Sequence, residues 1–208
     1  MPESNTIARD FHTLHYDRGC AVLRLASTDV TNKLSRACIA DLYRAILPLT
    51  REAERGAIQA LVVTGNQRYF SVGADLNEVS RYTPAEGLSS SLGGQRLMNA
   101  IDRFPVPVIA AINGYCMGGA MDMVLACDFR IASPGAIFGH RGAALGIMTS
   151  WGGTQRLPRL IGKARTLQMF LAAETVSAVK ALEIGLVDKL ADDPLEQALA
   201  MSETGLVP

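Results

Sequence analysis

The most conspicuous reactive side chain is Asp122, a single carboxylate inside the apolar run AMDMVLAC of residues 120–127. A lone acid among apolar neighbours is costly unless it is paired or used. Immediately before it, Gly118-Gly119 opens a segment of high helix propensity. A helix that starts at a diglycine offers free backbone N–H groups at the positive end of its dipole, with no side chain in the way. That is an anion or oxyanion site in outline. A second glycine turn, Ser71-Val72-Gly73-Ala74-Asp75, follows the aromatic stretch Tyr69–Ser71 and leaves further N–H groups accessible. His140 and Arg141 precede a third glycine, Gly142, and a histidine titrating near neutrality can exchange protons with an enolate or a bound water. Each feature also has a plainer reading. The diglycine permits close packing, Asp122 serves the helix dipole, the Gly73 turn is an ordinary one, and His140 is a structural hydrogen-bonder.

These groups need elements to hold them. Val106 to Ile112 is an apolar run of strand length between Pro105 and Asn113-Gly114, so the central segment reads as strand, glycine turn, helix. Upstream, Cys20–Ala26 is a strand following the Arg18-Gly19 turn. Asn32 and Ser35 then start a helix in which Leu34, Cys38, Leu42, Ile46 and Leu49 recur at helical spacing to about residue 54, with Pro48 as a kink. Ala60–Thr64 is a short β-branched strand ended by Gly65-Asn66. The alternation predicts a layered α/β architecture, with extra short strands at Tyr69–Ser71 and Phe129–Ala132 that a doubly wound sheet would not need. From Asn77 to Gly94 the composition turns polar, with Pro84, Gly87, three serines and Gly93-Gly94, which predicts a mobile flap or loop bordering a site. Asp193-Pro194 opens a last helix.

The chain has 208 residues, 49% of them hydrophobic, enough for one substantial core. Twenty basic and twenty acidic residues cancel, so no charge excess points to nucleic acid or to an anionic membrane as a partner. The N-terminal stretch lacks the apolar core of a signal peptide and no later run is long enough to span a bilayer, which makes the cytoplasm the expected location. Cys20, Cys38, Cys116 and Cys127 form neither a CxxC pair nor metal-ligand spacing with His12, His15 or His140, so four reduced thiols and no metal are expected. Phosphate-loop, nucleophile-elbow and dinucleotide-binding signatures are missing, which removes the main support for nucleotide hydrolysis, serine esterase chemistry and dinucleotide redox.

Taken together, FSVGADL, NGYCMGGAMDMVLACD, FGHRGAALG and GGTQRLPRLIGKAR, in this order and spacing, resemble the crotonase, or enoyl-CoA hydratase/isomerase, superfamily. The likeness runs from about Cys20 to about Leu190, and Thr31 to Ser35 matches a further family segment less closely. The resemblance implies a spiral of β-β-α units over residues 1–190, with residues 191–208 as a shortened C-terminal helical segment. It implies an acyl-CoA substrate in fatty acid metabolism, no separate cofactor because coenzyme A arrives as part of the substrate, and assembly as trimers or pairs of trimers. It places the two oxyanion-hole N–H groups at Ala74 and Gly119, and a substrate path along Val30, Val72, Asp75, Leu76 and Gly118.

The departures bear on the reaction. Hydratases of the family use two carboxylates around one water. The first position falls on Asp122, shorter than the usual glutamate, and the second on Gly142, which has no side chain. The acid position of some isomerases falls on Ser150. A two-carboxylate hydration is therefore not supported, and Asp122 with His140 are the candidate proton-transfer groups. Three readings follow: a lyase or isomerase using the oxyanion pair plus Asp122, a CoA-thioester decarboxylase or hydrolase, and a non-catalytic acyl-CoA binder. Arg156, Arg159 and Arg165 could meet phosphates, or be solvated or ion-paired helix residues. Trp151 is read as packing or substrate wall.

Overall fold

A tight reversal of the chain is made by Arg18 and Gly19, both with positive φ (47° and 75°), the conformation that a two-residue hairpin requires. It joins strands β2 (His12–Asp17) and β3 (Cys20–Leu25) in register, with the two-residue β1 (Ile7–Ala8) added outside. The structure, a computed structural model, describes residues 6–204. From β3 onward the pairing in this sheet is parallel: β4 (Ala60–Thr64), β6 (Val108–Ile112), β8 (Phe129–Ala132) and β11 (Lys189–Leu190) complete seven strands in the order β1-β2-β3-β4-β6-β8-β11. Strands β4 and β6 are buried along their whole length, as expected of parallel strands covered on both faces.

A second sheet supplies the extra short strands. It runs β10 (Thr175–Ser177), β9 (Ile137–Gly139), β7 (Tyr115–Met117), β5 (Tyr69–Ser71). The chain therefore places one strand in the large sheet and the next in the small one before entering a helix. After β5 come α2 (Leu76–Val79) and α3 (Pro84–Asp102), and after β7 comes α4 (Gly119–Val124). After β9 come a 3₁₀ turn (Gly142–Leu145), α5 (Gly153–Ile161) and α6 (Lys163–Ala172). This is the expected spiral of β-β-α units.

Helix α1 (Arg36–Glu54) is capped by Ser35, whose Oγ accepts from the Cys38 N–H at 3.1 Å, and it buries Cys38, Leu42, Ile46 and Leu49. It contains Pro48 without being divided there. Helices α7 (Ala178–Glu183) and α8 (Pro194–Glu203) close the chain. Asp193 caps α8, which lays Ala198 and Leu199 on Cys20, Val22, Val62 and Ile109 of the large sheet. All four cysteines are buried and unbridged.

The expected flap over residues 77–94 is overturned: most of it belongs to α3. Thr83 and Glu86 cap each other's backbone and Pro84 occupies the first turn, which fixes the start of the helix. Leu97, Met98 and Ile101 then bury fully against the core and hold the rest. The glycines and serines have low helix propensity, and tertiary packing outweighs it.

Candidate active site

One feature of topology assembles the site. Strands β5, β7 and β9 are adjacent and parallel, so their C-terminal ends emerge side by side. Ligands of open parallel sheets gather at that edge. The Gly73 turn leaves β5, Gly118-Gly119 leaves β7, and His140 leaves β9.

The first turn is braced by the segment before α1. Val72 N–H donates to Thr31 O at 3.1 Å, Leu34 N–H to Gly73 O at 2.9 Å, and the Ser71 hydroxyl to Asn32 O at 2.7 Å. Leu34 bridges Ala74 in parallel fashion using the residues that flank Ala74, so the Ala74 N–H points away from that contact. Gly73 has φ of +85°, and a Cβ on it would meet Met117 O at 2.4 Å and Gly119 N at 2.9 Å. Only glycine permits this approach, and it sets Ala74 beside the opening of α4. Gly119 is the first residue of that helix, where the N–H has no intrahelical acceptor. Gly118, at φ of 53°, makes the turn.

Ala74 and Gly119 both border a cavity of about 800 Å³ that Val72, Leu76, Gly118 and His140 also line. Leu145, Ile147 and Met148 supply an apolar wall, and α3 faces them with Gly87, Ser90 and Ser91. Those three residues, with Gly94, fall at helical spacing on one face, so the loop-like composition of α3 creates room. Gly94 itself receives Trp151. A Cβ on Gly94 would lie 2.1 Å from the indole Cδ1, and one on Gly119 would lie 2.2 Å from its Cζ3. The indole is thus wedged between α3 and the donor residue of α4.

Asp122 lies behind the cavity rather than in its wall and is 1% exposed. Its Oδ1 stands 3.3 Å from His140 Nε2, within ion-pair range but out of line for a hydrogen bond, since both atoms are buried without a hydrogen-bond partner among the described residues. Thr149 Oγ1 donates to the other carboxylate oxygen, Oδ2. Gly153 closes the cluster: a Cβ there would meet Asp122 Oδ1 at 2.2 Å and His140 Nε2 at 3.2 Å. The His140 ring packs edge-on against Phe170 at 5.0 Å between centroids.

The profile of the enoyl-CoA hydratase/isomerase family matches residues 15–203. The chain belongs to the enoyl-CoA hydratase/isomerase family. It is 33% identical over 178 residues to a crotonyl-CoA hydratase of Syntrophomonas wolfei, an alignment that covers 85% of this chain and 67% of the relative. Among solved structures, Pseudomonas aeruginosa DspI superposes with a TM-score of 0.89 at 34% identity, covering 97% of this chain and 82% of the other. An enoyl-CoA hydratase from Bacillus anthracis gives 0.88 at 32%, covering 93% and 76%. An acyl-CoA substrate fits this family.

Within the family frame, the structure brings Ala74, Gly119, Gly118, Val72, Leu76 and His140 to one cavity. Val30 and Asp75 stand outside its wall. Val30 is 69% exposed, and Asp75 caps α2 by accepting from the Asn77 N–H. Gly142 lines the cavity without a side chain, and a Cβ there would lie 2.5 Å from Ile147 O. Thr149 and Gly153 were missed by sequence reasoning. Their signal was the GG of GGTQRL and the hydroxyl four residues ahead of it, which no local pattern ties to Asp122. No described helix is long and apolar enough to cross a membrane.

Proposed function

We propose that the protein acts on an acyl-CoA thioester, gripping the thioester oxygen between the N–H groups of Ala74 and Gly119. The reading rests on one observation: the ends of β5 and β7 bring these two donors to the cavity that His140 borders. Charge develops on that oxygen as the thioester becomes an enolate, and losing one preorganised donor of this kind costs about 3 to 4 kcal/mol of transition-state stabilisation.

Proton transfer falls to the Asp122–His140 pair. With Nε2 turned to the carboxylate, Nδ1 is the ring nitrogen left for substrate, and Asp122, 3.3 Å away, balances the ring's charge when it takes a proton. In the hydration direction, water adds at Cβ of an enoyl thioester as the His140 ring takes its proton, the π electron pair moves through Cα to the thioester oxygen, and the enolate collapses as the ring returns that proton to Cα. This chain offers one proton-transfer unit for those steps where a two-carboxylate hydratase has two.

A second reading has its own support. Gly142 provides no acid and Asp122 does not reach the cavity, which suits a reaction in which no proton is taken from carbon. Decarboxylation of a malonyl-type thioester needs the oxyanion pair and a proton donor for the resulting enolate, and thioester hydrolysis needs the pair and an activated water. Incubation with crotonyl-CoA and separately with a malonyl-type CoA, followed by mass spectrometry, separates gain of water from loss of carbon dioxide. Retained CoA binding with no product from either would leave a non-catalytic acyl-CoA binder.

A further inference from the structure

A second cleft, of about 730 Å³, shares Ser150 and Trp151 with the acyl cavity but is otherwise built from different residues. Its wall carries three guanidinium groups, Arg130, Arg156 and Arg159, against one carboxylate, Asp102. Arg156 is tethered, with Nη2 donating to Asn99 Oδ1 at 3.0 Å and Nε 3.5 Å from Asp102 Oδ1. Arg159 has no ion-pair partner among the described residues and is exposed.

Arg130 sets this cleft apart from a solvated surface. The residue is 5% exposed. Its Nη1 donates to Cys127 O at 2.7 Å and its Nη2 stands 2.8 Å from Asp188 Oδ2, while the buried Nε–H has no acceptor among the described residues. A buried donor left unmet is costly, and it leaves the Arg130 guanidinium one hydrogen bond short in the wall of the cleft. Helix α5 opens in the same wall at Gly152, whose missing side chain lets the Arg156 guanidinium close over the helix start, since a Cβ there would lie 2.2 Å from Nη1. The first-turn N–H groups of that helix have no side-chain cap.

We propose that this cleft binds a small metabolite through an oxyanion group, a carboxylate or a phosphate, independently of the acyl-CoA cavity. Planar guanidinium forks match both groups, and the volume accommodates a molecule larger than the bare ion.

Trp151, the only tryptophan of the chain, borders both this cleft and the acyl cavity, so Arg159→Ala and competition with CoA are needed to assign its signal to the cleft. Its fluorescence is followed during titration with inorganic phosphate and, separately, with succinate, at ionic strength held constant with chloride. Saturable binding is expected for at least one of them, its midpoint weakened tenfold or more by Arg159→Ala and unmoved by saturating CoA. A response to phosphate alone assigns a phosphate ester, and a response to succinate alone assigns a carboxylate. Arg130→Gln is expected to abolish the response, and because that buried change can also unfold the chain, the exposed Arg159→Ala carries the test. No saturable signal from either anion, a midpoint unchanged in Arg159→Ala, or displacement by CoA overturns the proposal.

Discussion

A Cβ built on Gly142 would lie 2.5 Å from the carbonyl oxygen of Ile147, so position 142 is closed to any side chain at its present backbone geometry. Packing therefore requires a glycine here. Introducing a carboxylate by Gly142→Glu is expected to give no gain in crotonyl-CoA hydration, because the 3₁₀ turn must shift first. Gly142→Ala should already cost about 1 to 3 kcal/mol, read as a lower midpoint in thermal melts. A Gly142→Glu variant with faster hydration and an unchanged melt would refute this.

Removing the proton-transfer pair should separate chemistry from binding. His140→Ala is expected to lower turnover of the thioester substrate by roughly 10²- to 10⁴-fold, the usual span for a general acid or base, with CoA affinity retained by calorimetry. Asp122→Asn should follow it. Thr149→Val removes only the hydroxyl that holds Asp122 Oδ2, so it should give a smaller loss together with a displaced pH–rate profile. Wild-type rates in His140→Ala would take the ring out of the mechanism.

The wedge of Trp151 predicts coupling between two positions. Gly119→Ala alone should destabilise strongly and lose activity, because its methyl would meet the indole at 2.2 Å. In Gly119→Ala/Trp151→Ala the clash is gone, so the double variant should be more stable than the sum of the two single losses by about 0.5 to 3 kcal/mol, the span of contacting pairs. Strict additivity in denaturant titrations would contradict the packing described.

Alkaline stability should reflect the buried thiols. Burial pushes Cys38 and Cys127 from an ordinary value of 9.0 up to about 12, Cys127 despite the opposing charge of Arg130. The unfolded chain releases those protons from about pH 9 while the folded chain keeps them. The resulting stability is full below that pH and is lost as pH rises towards 12. Each thiol should contribute a loss of about 1.4 kcal/mol per pH unit within the window. Urea melts from pH 8 to 11 measure the slope, and Cys38→Ala should make it shallower.

The strands and the glycine turns were legible because β-branched runs bounded by Gly, Asn and Pro allow few other conformations. The order of the four motifs brings Ala74 and Gly119 forward as candidate donors, and both line the cavity. Helix α3 was not legible: its serines and glycines suit a loop locally, whereas the Thr83–Glu86 cap and the burial of Leu97, Met98 and Ile101 hold them in a helix, and the room they leave is used by Trp151, more than fifty residues away in sequence. The contact of Asp122 with Thr149 and Gly153 was hidden for the same reason. A hydroxyl and a glycine on a later segment carry no mark of the carboxylate they meet.

The close approach of Gly73 to Met117 O and Gly119 N fixes the spacing of the two proposed donors by backbone touching backbone. Side-chain identity plays almost no part in that spacing. A substitution at Asp122, His140 or Ser150 leaves that backbone contact untouched, so the groups that would move protons can change while the grip on the thioester oxygen that we propose stays in place.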